Sequence, residues 1–87
     1  MAALAPTMTL ANLPRKSKGY VASIQITGPL RRRILDLGIV PGTPVHYVRS
    51  APGGDPMAFR IRGTVIALRR RDAGGIRVHP IEPGSII

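Results

Sequence analysis

A catalytic or metal site in this chain would have to be built from four carboxylates, Asp36, Asp55, Asp72 and Glu82, and two imidazoles, His46 and His79. General acid–base chemistry needs a titratable pair held within hydrogen-bond reach. Only His79 and Glu82, on either side of Pro80, are near one another in sequence. No His-x-x-x-His or Glu-x-x-His spacing is present, and the absence of cysteine removes thiolate ligands and disulfides. Asp36 falls near the end of a helical segment among arginines. Asp55 lies in a Gly/Pro turn that favours Asp, and Asp72 can cap or pair locally. Gly53-Gly54 belongs to neither a Gly-x-Gly-x-x-Gly nor a Gly-x-x-x-x-Gly-Lys pattern, and turns needing positive φ explain it better. No catalytic residue, metal ligand or cofactor site is assigned, and the chain is read as a non-enzyme.

What stands out instead is positive charge. Thirteen Lys+Arg against four Asp+Glu give a formal charge of +9 in 87 residues, a surface that seeks nucleic acid, an anionic membrane face or an acidic protein. Six of the cations form two triplets, Arg31-Arg32-Arg33 and Arg69-Arg70-Arg71. On a helix each residue is turned by about 100° from the one before, so a triplet cannot aim all its charges at one partner. Against this, the first triplet crowds the positive end of its helix while Asp36 sits near the negative end. Each placement is unfavourable by a few tenths to about 1 kcal/mol. The six arginines are therefore the candidate contacts for an external anionic surface. Single-strand binders interleave cations with stacking aromatics, and only Tyr20, Tyr47 and Phe59 are available. With no helix-turn-helix or zinc-finger pattern, a nucleic-acid-binding barrel driven by charge alone is the alternative reading.

The elements that must position these residues are short. Nine prolines and ten glycines distribute turns along the chain, and 44% apolar residues make it globular. A chain of this size forms one domain, with residues 1–8 as a frayed terminus, 9–80 as the folded unit and 81–87 as a tail. Leu10, Leu13 and Pro14 form an apolar corner before the polar loop Arg15–Gly19. Ala22, Ile24 and Ile26 alternate with Ser23, Gln25 and Thr27, which predicts a half-buried strand. Pro29 suits a helix start, Leu30, Ile34 and Leu37 share one face, and Gly38 is placed to cap the end. Strands follow at Val45–Val48 and, with a clean in/out pattern that leaves Arg60 and Arg62 on a cationic face, at Met57–Ile61. Arg62-Gly63-Thr64 reads as a hairpin turn into Thr64–Leu68, whose continuous apolar run predicts burial on both faces. A helical turn from Arg69 to Gly74 and a last strand, Ile76–His79, complete the domain. The architecture is mainly β: a small, partly open barrel of about five short strands, with one helix between the first and second and a helical turn before the last.

Two blocks in these elements resemble the FeoA family. The first is Leu30-Arg31-Arg32-Arg33-Ile34-Leu35-Asp36-Leu37-Gly38-Ile39-Val40-Pro41-Gly42-Thr43. The second is Ala51-Pro52-Gly53-Gly54-Asp55-Pro56, followed by Ile61-Arg62-Gly63 and Ile66-Ala67-Leu68-Arg69-Arg70. Together they cover the chain from about Leu10 to Val78. The resemblance implies an SH3-like barrel that binds and modulates FeoB, a membrane-embedded ferrous iron transporter, through its cytosolic GTP-binding domain or its membrane portion. It implies no catalysis and no stably bound metal. By this analogy the arginine triplets are the partner contacts, homo-oligomers are an open possibility, and no specific nucleic acid is expected. Lys16 stands where the family usually has glycine, and Arg71-Asp72 where an acidic pair is usual, so both departures add positive charge. Iron-dependent repressors carry the same domain behind DNA-binding helices, which do not precede it here, so a free-standing module is expected. No stretch reaches the roughly 20 apolar residues of a spanning helix. Met1–Pro6 lacks the basic region of a secretory signal. The expected location is the cytoplasm, peripheral to the inner membrane through the partner.

Overall fold

The alternation at Met57–Ile61 sets the geometry of the whole sheet. In the computed structural model, which describes residues 6–81, Met57, Phe59 and Ile61 are fully buried and Arg60 is exposed, as a strand with one wet face requires. Burying the Phe59 ring alone stabilises the fold by about 1.5–3 kcal/mol. The ring packs on that of Tyr47, with centroids 5.2 Å apart and planes tilted by 38°.

Six strands make one antiparallel sheet: β1 (Met8–Thr9), β2 (Lys18–Ile24), β3 (Pro44–Ser50), β4 (Met57–Ile61), β5 (Thr64–Leu68) and β6 (Ile76–Pro80). Their spatial order is β1-β6-β2-β3-β4-β5. Helix α1 (Gly28–Asp36) lies between β2 and β3, and the single turn α2 (Arg70–Ala73) between β5 and β6. This is the mainly β architecture expected, with one strand more. The extra strand is β1, which pairs Met8 with Val78 and Thr9 with Arg77. It begins at Met8, inside the stretch read as frayed, because Arg77 donates to the Thr7 carbonyl at 2.8 Å and to its hydroxyl at 2.9 Å. The remainder of the terminal segment, residues 1–5, and residues 82–87 of the tail lie outside the described residues.

Leu10 and Leu13 form the expected apolar corner, which a 3-10 turn at Leu10–Asn12 buries, whereas Pro14, expected with them, is exposed. The first long strand differs in phase. Gly19 and Val21 point inward, not Tyr20, and the register shifts between Val21 and Ser23. That bulge turns the later half of β2, so that Ile24 packs against the core.

In α1, Ile34 is fully buried and Leu30 packs beside it, whereas Leu35 and Leu37 are 37% and 38% exposed. The one-face reading of Leu37 is thus corrected: the helix ends at Asp36, and Leu37 is its C-cap. Gly38 follows at φ +87°, the left-handed conformation that ends helices. The expected two-sided burial of β5 is also corrected. Leu68 is buried, but Val65 is 43% exposed and Ala67 is exposed, because they point to the outer face of the sheet, beside Ala58 and the exposed Arg60 of β4.

Candidate functional site

The packing divides each arginine triplet into anchored and outward-facing members. Gly75, at the end of the α2 loop, lies so close to Ile26 that an added Cβ would stand 2.5 Å from its Cγ1. The Gln25 amide donates to the Gly75 carbonyl at 2.6 Å. The segment leading into α1 and the segment leaving α2 therefore pack on each other.

Arg31 is spent on that junction. Its guanidinium donates to the Ile24 carbonyl at 3.0 Å and to the Ile26 carbonyl at 3.5 Å, fastening the end of β2 to the helix. Arg32 and Arg33 are exposed and make no side-chain hydrogen bond or ion pair among the described residues. The expected clash with the helix dipole is also only partial. In a nine-residue helix, Arg33 already falls in the last turn, where a cation is favourable.

Arg70 is the most heavily committed cation. Its side chain donates to the Ala11 carbonyl at 3.0 Å and to the Gly54 carbonyl at 3.1 Å, while its backbone amide donates to Asp55 Oδ1 at 3.0 Å. It thus joins three segments where the two edges of the sheet approach, and Asp55 caps α2 from across the loop. Arg69 and Arg71 face solvent; Arg71 meets Asp72 at 3.8 Å with its side chain 89% exposed, a pairing worth little. The outward-facing members of the triplets are Arg32, Arg33, Arg69 and Arg71.

Sequence reasoning missed a second cationic group. Lys18 is the cross-strand partner of His46, and His46 that of Arg60, so three neighbouring strands carry one row on the outer face. With Arg62, Gly63, Pro44 and Val45 they line an open depression of about 440 Å³ that has no carboxylate in its lining. Arg60 and Arg62 were legible from the alternation of β4. Lys18 and His46 join them only through register, which the sequence does not display. No group of three or more His, Cys, Asp or Glu is arranged for a metal among the described residues. Tyr47 and Phe59 are buried, leaving Tyr20 as the partly exposed aromatic. Among the described residues, no helix is long and apolar enough to cross a membrane.

A family model described as "FeoA domain" matches residues 8–80. A curated relative from Porphyromonas gingivalis, an Fe(2+) transport protein A/Fe(2+) transporter FeoB fusion protein, is 35% identical over 78 residues. That alignment takes in 90% of this chain but only 9% of the fusion protein's length. Among solved structures, the FeoA protein of Chlorobium tepidum is similar at 35% identity with a TM-score of 0.82, covering 90% of this chain and 74% of that one. The FeoA of Stenotrophomonas maltophilia complexed with zinc, described as a procaryotic SH3 domain protein, is 35% identical with a TM-score of 0.74. It covers 82% of this chain and 88% of its own. The fold is SH3-like.

Proposed function

This chain belongs to the FeoA family, and from that premise we propose that it is an accessory protein of ferrous iron transport that binds and modulates a FeoB-type GTP-dependent permease. The observation that carries the proposal is the curated relative in which an Fe(2+) transport protein A is joined to a FeoB transporter in one chain. Two activities on one polypeptide are held at high effective concentration, and separate chains that work together achieve the same by docking.

The folded unit, residues 9–80, supplies the docking surface from the cytoplasmic side. Arg32, Arg33, Arg69 and Arg71 are the contacts this reading favours, because they face solvent and have little else to hold. Arg31 and Arg70, also exposed, are held by backbone carbonyls and brace that surface. The contribution of the chain is binding, with no catalysis of its own. The alternative of charge-driven nucleic-acid binding has less to work with, since two of the three aromatics that could stack on bases are buried in the core.

The test is a titration of the protein against the soluble GTP-binding domain of its cognate transporter at physiological salt, with an arbitrary DNA duplex as control. Domain binding that ignores DNA and weakens on replacing Arg32, Arg33, Arg69 and Arg71 with Gln supports the proposal. Tight DNA binding with a steep salt slope and no domain binding sinks it.

A further inference from the structure

Strand β5 has an outward backbone edge that nothing among the described residues uses. The β4–β5 hairpin turns through two residues, Arg62 at φ +53° and Gly63 at φ +78°, and closes on the pair Ile61 and Thr64. In such a hairpin the closing residues exchange both hydrogen bonds and the pairs then alternate. Thr64, Ile66 and Leu68 therefore direct their amides and carbonyls to β4. Val65 and Ala67 direct theirs away from the sheet. β5 is the last strand in the order, and no turn, loop or cap hydrogen bond among the described residues reaches either one.

Natural edges are blunted by charge, proline, bulges, brevity or cover. The other edge, β1, is only two residues long. β5 has five residues, no charge and no proline, and it runs in unbroken register with β4. Its outer side chains, Val65 and Ala67, are exposed. This is a template for strand addition.

We propose that β5 receives an extended segment of another protein, uncharged at its centre and acidic at both ends. Charge selects that occupant. Arg62, in the hairpin turn two residues before Thr64 and with its Nε donating to the Gly38 carbonyl, flanks one end of β5, and Arg69, immediately after Leu68, flanks the other. Arg60, the cross-strand partner of Val65, adds a third cation on the outer face. A second copy of this chain fits poorly. Antiparallel self-pairing centred on Ile66 sets Arg62 of each copy opposite Arg70 of the other, between molecules that each carry a formal charge of +9. Arg69 is shared with the arginines assigned to the transporter above, whereas Val65, Ala67 and Arg60 are not, and the inference stands without that assignment.

The test is amide hydrogen exchange read by NMR, with a synthetic peptide of five alternating valines and threonines flanked by two glutamates at each end. At millimolar peptide, exchange at Val65 and Ala67 slows at least tenfold while Thr64, Ile66 and Leu68, already bonded to β4, change little. Ala67→Pro deletes one outward N–H and leaves the β4 ladder intact, so it lowers affinity at least tenfold. Val65→Glu, which keeps every backbone donor and repels an acidic strand, does the same and serves if the proline variant fails to fold. A peptide with lysine in place of glutamate binds at least tenfold more weakly. Absence of protection at millimolar peptide, protection confined to other strands, or unchanged affinity in both variants overturns the proposal. So does protection of Val65 and Ala67 that rises with protein concentration alone, which identifies a second copy as the occupant.

Discussion

The Nε of Arg62 donates a 2.9 Å hydrogen bond to the carbonyl of Gly38, 24 residues earlier in the chain. The tip of the β4–β5 hairpin is thereby tied to the C-terminal end of α1. The same carbonyl accepts from Thr43 Oγ1 at 3.2 Å, and that hydroxyl accepts in turn from the Val40 amide at 3.2 Å. Thr43 is the one buried polar residue among those described, and both of its bonds serve the turn that leaves the helix.

Gly38 is the point at which this arrangement is most easily broken. A Cβ there would stand 2.9 Å from Arg62 Cδ, on a backbone at φ +87°. Gly38→Ala should lower stability by about 1–2 kcal/mol from the left-handed backbone alone. Urea unfolding checks the change, and an unaltered midpoint would show that the helix end can be rebuilt.

The two faces of α1 should respond very differently to truncation. Ile34→Ala removes a fully buried side chain and should cost about 2–5 kcal/mol. Leu37→Ala, at a position 38% exposed, should fall within about 0.5 kcal/mol of the parent. Thermal or chemical unfolding of the two variants side by side tests the burial assigned to this helix.

The second arginine triplet should divide in the same way. Arg70→Ala loses both side-chain bonds across the closure, to Ala11 and Gly54, and should destabilise by about 1 kcal/mol. Arg69→Ala and Arg71→Ala should leave stability within about 0.5 kcal/mol. If all three behave alike, Arg70 does not hold the closure.

For the first triplet, stability and partner binding should separate by residue. Arg31→Gln loses its bond to the Ile24 carbonyl and should lower the melting temperature. Arg32→Gln and Arg33→Gln should leave it near the parent value while weakening association with the transporter's GTP-binding domain. A fall in melting temperature on replacing Arg33, with binding intact, would reverse the roles given to these residues.

The fold was legible where a strand has one wet face and lies inside the sheet. Met57, Phe59 and Ile61 declare their inward side by alternation alone, and Gly38 declares a helix end by its conformational freedom. β5 misled because a continuous apolar run looks the same whether a strand is covered on both faces or carries small and β-branched residues on a wet one. Its exposure follows from the outer face of the sheet lying open there, a property of the tertiary packing. The phase of β2 was hidden for a related reason. A bulge inserts one residue without any marker in composition, and it reversed the inward set between Val21 and Ile24. The candidate arginines were legible as a group but not individually. Which ones are anchored depends on carbonyls at Ile24, Ala11 and Gly54 that only tertiary packing brings within reach.

The position of β6 between β1 and β2 also governs how the chain acquires its structure. β6 is last in sequence yet interior to the sheet, so during synthesis β2 waits for one of its two neighbours until residues 76–80 have emerged. Until then β2 and β3 can pair, and the β4–β5 hairpin can form on local contacts, but the core side chains of β2 remain open along one flank. Loop-closure entropy must be met before those long-range pairings return any stability, which slows the final step relative to the local ones. Truncation before Ile76 should therefore leave a nascent chain that collapses without reaching its native packing.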